Sequence, residues 1–175
     1  MSENGGESST CSLWTTSRVF LDNLSHGMHS ITLDWIKMHW SSEFKSCVLV
    51  TEPKETESTI SNYLNGISVE ALPKVPDLNV LICWDKKYDV TVCQAVLEHV
   101  CRPSIALENL IRLTNVNGLV SVHTHTVRMG YHPYPVDCVR FWPDFFIEIQ
   151  KYIPAKLLEV YSHNTDIFSL YKVLM

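Results

Sequence analysis

From Tyr88 to Val122 the chain runs through a buried strand, a helix and a second buried strand, and this succession restricts the fold more than any other stretch. Val90 and Val92 set a strand period that reaches Gln94 and passes straight into Ala95-Val96-Leu97-Glu98-His99. Pro103 opens a helix, since its fixed φ suits the first helical position; Ile105, Leu107, Leu110, Ile111 and Leu113 mark the buried side. An Asn-Gly turn then leads into Gly118-Leu-Val-Ser-Val122. Two strands joined through a helix at this spacing make one βαβ unit of an α/β sheet. Ligands of such sheets bind beyond the carboxyl ends of the strands, so a site is expected over Gln94 to His99.

The flanking sequence extends the pattern. Arg18 to Leu21, Cys47 to Val50 and Ile67 to Leu72 read as strands, with helices over Met28 to Trp40 and Glu55 to Leu64 between them. Asp77 to Asp85 follows two prolines and reads as loop, and so does the aromatic, proline-rich and histidine-rich stretch from Val127 to Pro143. A helix over Asp144 to Tyr152 precedes Leu157–Tyr161 and Ile167–Leu174, which alternate apolar and polar residues around His163-Asn-Thr-Asp166 and so predict a terminal hairpin. Residues 1–16 read as a disordered tail and 17–175 as one domain, with no internal repeat.

Composition narrows the function classes. With 46% hydrophobic and 19% charged residues the chain is ordinary for a globular domain. A net charge of −5 without a basic cluster argues against a duplex nucleic-acid surface. No apolar run approaches the ~20 residues of a membrane span, and the first ten residues lack the basic-then-apolar form of a signal peptide. The six cysteines form no CxxC pair, which fits free thiols in a reducing compartment. The expectation is a cytoplasmic protein, with the nucleus left open.

Tyr88-Asp89, Val96-Leu97-Glu98-His99-Val100, Ala106-Leu107-Glu108, Arg112-Leu113 and Gly118-Leu119 together resemble the fourth-strand region of class I S-adenosylmethionine-dependent methyltransferases. Its common form is FDxVxxxxVLEHV…ALxExxRxLKPGGxLxVxTP. The resemblance extends over roughly residues 17–175. It implies an α/β, Rossmann-like three-layer sandwich with a mostly parallel seven-stranded sheet and an antiparallel terminal hairpin. It also implies S-adenosylmethionine as cofactor and assigns residues to it. Asp22 takes the acidic position after the first strand, Asn23 lines the turn that follows, and Gly27 stands at the last glycine of that turn. Glu52 takes the ribose-binding place after the second strand, where one carboxylate accepts from two hydroxyls. Asp77 would accept from the adenine amino group, Leu78 would pack on the ring, and Gln94 and Ala95 would floor the pocket.

Beyond the fifth strand, His132-Pro133-Tyr134-Pro135, Asp137, Arg140-Phe141, Pro143 and Phe146 resemble a subgroup of these enzymes, related to type 11 methyltransferases, that carries HPYPxDxxRFxPxxF. There the loop closes over the cofactor and shapes the acceptor pocket, which casts His125, His132 and Tyr134 as the residues facing the acceptor. Methyl transfer asks for an in-line nucleophile, a dry pocket and a base when the nucleophile carries a proton. Asp137 and Arg140 can equally pair to hold the loop on the sheet. His123 and His125 alternate on a strand and share a face, and with His132 or Cys138 nearby as a third ligand they could hold zinc, but the spacing matches no zinc signature, so no metal site is expected. Glu98 and His99 read as packing or capping residues.

Two functions lead on sequence grounds, well ahead of a metal-dependent protein on the same fold. One is a methyltransferase with an unidentified acceptor. The other is a methyltransferase-like protein that has lost the cofactor and catalysis and serves as a binding or regulatory module for a protein partner. The second is motivated by Asn23, Ser25 and His26 in place of the turn glycines, and by Thr114-Asn-Val-Asn-Gly118 in place of Lys-Pro-Gly-Gly.

Overall fold

The computed structural model of the protein describes residues 29–51, 63–64, 67–72, 74–133 and 136–174. In order these form helix α1 (His29–Met38), strands β1 (Ser46–Val50), β2 (Ser68–Ala71) and β3 (Tyr88–Gln94), a 3-10 turn at Leu97–His99, and helix α2 (Pro103–Arg112). Strand β4 (Thr114–His125), helix α3 (Pro143–Ile149), β5 (Ala155–His163) and β6 (Asp166–Val173) complete the order.

The strands form one sheet in the order β2-β1-β3-β4-β6-β5. β2, β1, β3 and β4 run parallel, and β6 and β5 are added antiparallel as the predicted hairpin. Burial on both faces makes β1 almost wholly apolar, as a parallel central strand requires, while β3 is almost wholly buried yet carries Asp89, Thr91 and Gln94. Cys47 and Leu49 point into one core with Leu33 and Ile36 of α1. Val48 and Val50 point into the other, with Leu107, Leu110 and Ile111 of α2 and Phe146 of α3. The result is the predicted three-layer α/β sandwich, with six strands among the described residues instead of seven.

The strand predicted over Arg18–Leu21 lies outside the described residues. β1 is hydrogen-bonded to β3 on one side and β2 on the other, and β4 takes the far edge of β3. No further strand therefore fits among these four. The helix predicted over Glu55–Leu64 also lies almost entirely outside the described residues, as does the tail at 1–16. No described helix is long and apolar enough to cross a membrane.

Two local devices shape the half of the sheet that carries the site. The crossover from β2 to β3 contains no described helix, and the buried Asn109 of α2 pins it instead. Its Oδ1 accepts from the Ile82 amide at 2.9 Å and its Nδ2 donates to the Val80 carbonyl at 2.7 Å. The Trp84 indole N–H donates to the Asn109 carbonyl at 3.0 Å. β4 begins five residues before the predicted strand: Thr114 pairs with Tyr88, and the ladder resumes at Leu119 opposite Val90. The predicted Asn-Gly turn becomes a bulge inside the strand. Asn117 takes φ 66°, and a Cβ at Gly118 would stand 2.5 Å from the Asp89 carbonyl oxygen.

Candidate active site

The chain leaves β1 toward β2 on one side, and the β3–β4 unit lies on the other. The order therefore reverses between β1 and β3, and the crevice where such sheets take ligands lies at their carboxyl ends. Thr51 follows β1 there, and Glu52 comes next in the sequence. Gln94 closes β3 and is 6% exposed. Ala95 takes φ 51°, a left-handed conformation that an L-residue adopts at a cost, and its amide donates to the His123 carbonyl at 3.0 Å.

Of the cofactor-assigned residues, Asp22, Asn23, Gly27 and Glu52 lie outside the described residues. Asp77 is exposed; its Oδ1 accepts from the Asn79 backbone and side-chain amides, and these bonds hold its carboxyl below the usual range. Leu78 is 1% exposed and sits in the core beneath α2, so as placed it offers no face to a purine ring. Gln94 ends β3 and Ala95 follows it, at the carboxyl edge of the sheet.

Beside Gln94 lies a cluster that the sequence reading only half identified. His125 and His132 come together with ring centres 4.9 Å apart, although seven positions of the chain separate them. Tyr134, the third residue assigned to the acceptor, lies outside the described residues. The organising group is Glu98, on the 3-10 turn after β3, with its side chain fully buried. The Thr124 hydroxyl donates to Glu98 Oε2 at 2.6 Å. Glu98 Oε1 has no hydrogen-bond partner among the described residues, yet His125 Nε2 stands 3.2 Å from it and the Nε2 atoms of His99 and His132 stand 3.9 Å away.

A second carboxylate, Asp166 at the start of β6, backs the cluster. His123 Nε2 lies 3.0 Å from Asp166 Oδ1 and His125 Nδ1 lies 3.2 Å from the same oxygen. Burial holds His123 below the usual imidazole range despite that carboxylate, so the neutral ring donates from Nε2. Burial pushes Asp166 the other way, but bonds from His123 and Thr165 outweigh it and keep the group ionised. His123 also stacks on Phe168 at 4.8 Å.

The predicted loop is fastened over this cluster. The Asp137–Arg140 ion pair forms, and Arg140 also donates to the carbonyls of Met129, Gly130 and Val139. Asp137 accepts from the His132 amide at 2.9 Å, and its carboxyl is held far below the usual range by the guanidinium. The loop joins the sheet through Cys138 and Val139, whose amides donate to the Glu98 carbonyl, and through the Phe141 amide, which donates to the His125 carbonyl. His99 serves the loop as well, by a hydrogen bond from Nδ1 to the Val136 carbonyl.

The sequence reading missed Glu98 and Asp166 as members of the site. Glu98 carried a usable signal, because an acid one turn past the end of a central strand sits at the ligand-binding edge. Asp166 carried none, because only the antiparallel pairing of β6 with β4 brings it opposite His125.

No protein-family model matches the chain, and no curated protein does. Solved structures do. TehB from Haemophilus influenzae superposes with a TM-score of 0.58 at 16% identity, over 83% of this chain and 62% of its own, so this chain spans under two thirds of that protein. An S-adenosylmethionine-dependent methyltransferase from Mesorhizobium loti gives 0.53 at 8% identity, over 83% of this chain and all of the other. The [4+2]-cyclase SpnF gives 0.52 at 10% identity, over 82% and 80%. The fold is that of the class I methyltransferases, and one neighbour with that fold is named for a different reaction.

Proposed function

We propose that the protein is an S-adenosylmethionine-dependent methyltransferase whose cofactor crosses the carboxyl ends of β1 and β3, with the acceptor held against His125 and His132. The observation that carries this reading is the placement of the polar cluster. Glu98 follows β3, whose carboxyl end borders the point where the parallel strand order reverses, and it meets His125 at the carboxyl end of β4 and His132 in the loop beyond. The description of a structural neighbour as S-adenosylmethionine-dependent supports the cofactor class.

The crevice fits such a cofactor through side chains more than through bare backbone. The first glycine after β1 is Gly66, so the segment that leaves β1 through Thr51 lacks the glycines expected of such a turn. When bound, the cofactor supplies a methyl group on a sulfonium. In this reading Gln94 and Ala95 support it from below, and Glu52, outside the described residues, is assigned to the ribose. Asp77 is already engaged by Asn79 and contributes a negative edge. His125 and His132 orient the acceptor and can take its proton, while the loop fastened by Arg140 excludes water. The acceptor is a small or unidentified molecule presenting a nucleophilic heteroatom.

The glycine-free segment after β1 favours a second reading, a non-catalytic binding module that engages a protein partner. Calorimetric titration with S-adenosylhomocysteine separates the two. The enzyme reading expects micromolar binding by the native chain and at least tenfold weaker binding by Glu52→Ala. No heat at millimolar ligand would leave the binding-module reading standing.

A further inference from the structure

We propose that Glu98, His125 and His132 bind one divalent first-row transition-metal ion, with zinc the best match to the donor set. Two imidazole nitrogens and a carboxylate oxygen are the three-ligand set of open zinc sites. Their ligand atoms all lie within 4.8 Å of one another. Glu98 Oε1 is 3.2 Å from His125 Nε2 and 3.9 Å from His132 Nε2. Ligand atoms about an ion with bonds of roughly 2.0–2.1 Å stand about 3.3–3.4 Å apart in a tetrahedron, so these two spacings bracket the tetrahedral value.

The geometry around Glu98 points to an ion more than to an ion pair. Its carboxylate is fully buried, and among the described residues its ion-pair partners within 4 Å are imidazoles alone, with no lysine or arginine. Among the described residues Oε1 makes no hydrogen bond, although three histidine nitrogens surround it. A carboxylate oxygen enclosed without a donor is costly, and a cation placed among these atoms removes the cost.

The surroundings are those of a supported ligand set. Thr124 fixes Oε2, which leaves Oε1 to the ion. An ion on His125 Nε2 puts that ring's proton on Nδ1, which also has no hydrogen-bond partner now and lies 3.2 Å from Asp166 Oδ1. Carboxylates behind metal-bound histidines orient the ring in this way. For His132 the ion likewise requires the proton on Nδ1, so that atom must turn from Arg140 Nη2, now at 3.2 Å, to Asp137 Oδ2, now at 3.9 Å.

The other trio, His123, His125 and Asp166, is the weaker candidate. Asp166 already accepts from His123 and Thr165, so its oxygens are engaged. Three ligands leave a fourth position open on the side of His132, whose side chain is 30% exposed. That position would take an anionic oxygen or sulfur ligand. The proposal does not depend on methyl transfer, because these atoms can hold the ion whether or not the chain binds S-adenosylmethionine; with the ion bound, His125 and His132 serve as ligands and no longer as proton acceptors.

The test is titration of chelator-stripped full-length protein with zinc against a chromophoric competitor, repeated with cobalt for its visible ligand-field bands. The expected result is one equivalent bound, at least tenfold weaker in Glu98→Gln and in His132→Ala, and unchanged in His163→Ala. His132 lies on the loop, so its variant keeps the test valid even where a core substitution disturbs folding. Asp166→Asn should weaken binding while keeping one equivalent and the same cobalt spectrum. Absence of binding at a free zinc concentration that saturates the competitor would overturn the proposal. So would equal affinity in Glu98→Gln and His132→Ala, which would assign the ion to surface histidines, or complete loss in Cys101→Ser or Cys138→Ser, which would assign it to the adjacent thiols. S-adenosylhomocysteine binding by the same samples reports separately on the methyltransferase reading.

Discussion

The two ends of β3 carry acids with opposite circumstances. At the amino end, Asp89 is saturated: Oδ2 accepts from the Lys45 amide at 2.8 Å and from the Ser46 amide and hydroxyl at 3.0 Å each, and Oδ1 accepts from Asn115 Nδ2 at 2.9 Å. Beyond the carboxyl end, Glu98 is more deeply buried and leaves one oxygen without a donor. The first arrangement ties β1, β3 and the bulge of β4 together and asks for nothing further. The second holds unused bonding capacity at the edge where α/β sheets bind ligands. Burial of an acid therefore does not separate structure from function in this molecule, whereas the completeness of its bonding does.

Stability measurements should sharpen that contrast. Asp89→Ala removes four accepted bonds and strands two backbone amides, so urea unfolding should show a loss of about 3 kcal/mol. Gly118→Ala forces a methyl group to 2.5 Å from the Asp89 carbonyl and 2.7 Å from Thr114 Cγ2, at a cost of about 2 kcal/mol. Glu98→Gln, measured in chelator, should change stability by less than about 1 kcal/mol and upward, since it removes a buried charge that lacks a full set of partners. A loss from Glu98→Gln as large as that from Asp89→Ala would erase the distinction between the two ends.

The smallest effect is one of pH. Burial alone would raise the Asp89 carboxyl, but the bonds from Lys45, Asn115 and Ser46 outweigh it and hold the group below its usual range. A group depressed in the folded state contributes stability that is fully present above its unfolded value of about 3.9 and is lost as pH falls through the folded value. Native protein should therefore lose stability below about pH 4, and Asp89→Asn should show a flatter acid limb in thermal unfolding between pH 5 and pH 2 (about one unit above and two below that value). Parallel limbs would mean that Asp89 does not supply the acid sensitivity.

Much of the fold was readable because burial imposes periodicity. Val90 and Val92, the α2 stripe and the alternation in β5 and β6 predicted their elements to within a few residues. The bulge at Asn115–Gly118 was not readable as such, because Asn-Gly signals a tight turn and only the partner strand shows that the ladder continues past it. Strand order was also hidden. Periodicity does not say which strands are neighbours, so nothing local revealed that β1 lies directly against β3. The site divided in the same way. His125 and His132 were legible from the loop motif, while Glu98 gains its role from Thr124, 26 positions later, and Asp166 from His123, 43 positions earlier.

The central claim is that the ligand-binding edge lies at the carboxyl ends of β1 and β3, and amide chemical shifts recorded during titration with S-adenosylhomocysteine test it most directly. The account predicts saturable shifts centred on Thr51, Gln94, Ala95 and Glu98, with Asp89 and Gly118 at the opposite end unmoved. Shifts centred on Asp89 and Gly118, or none anywhere at millimolar ligand, would contradict it.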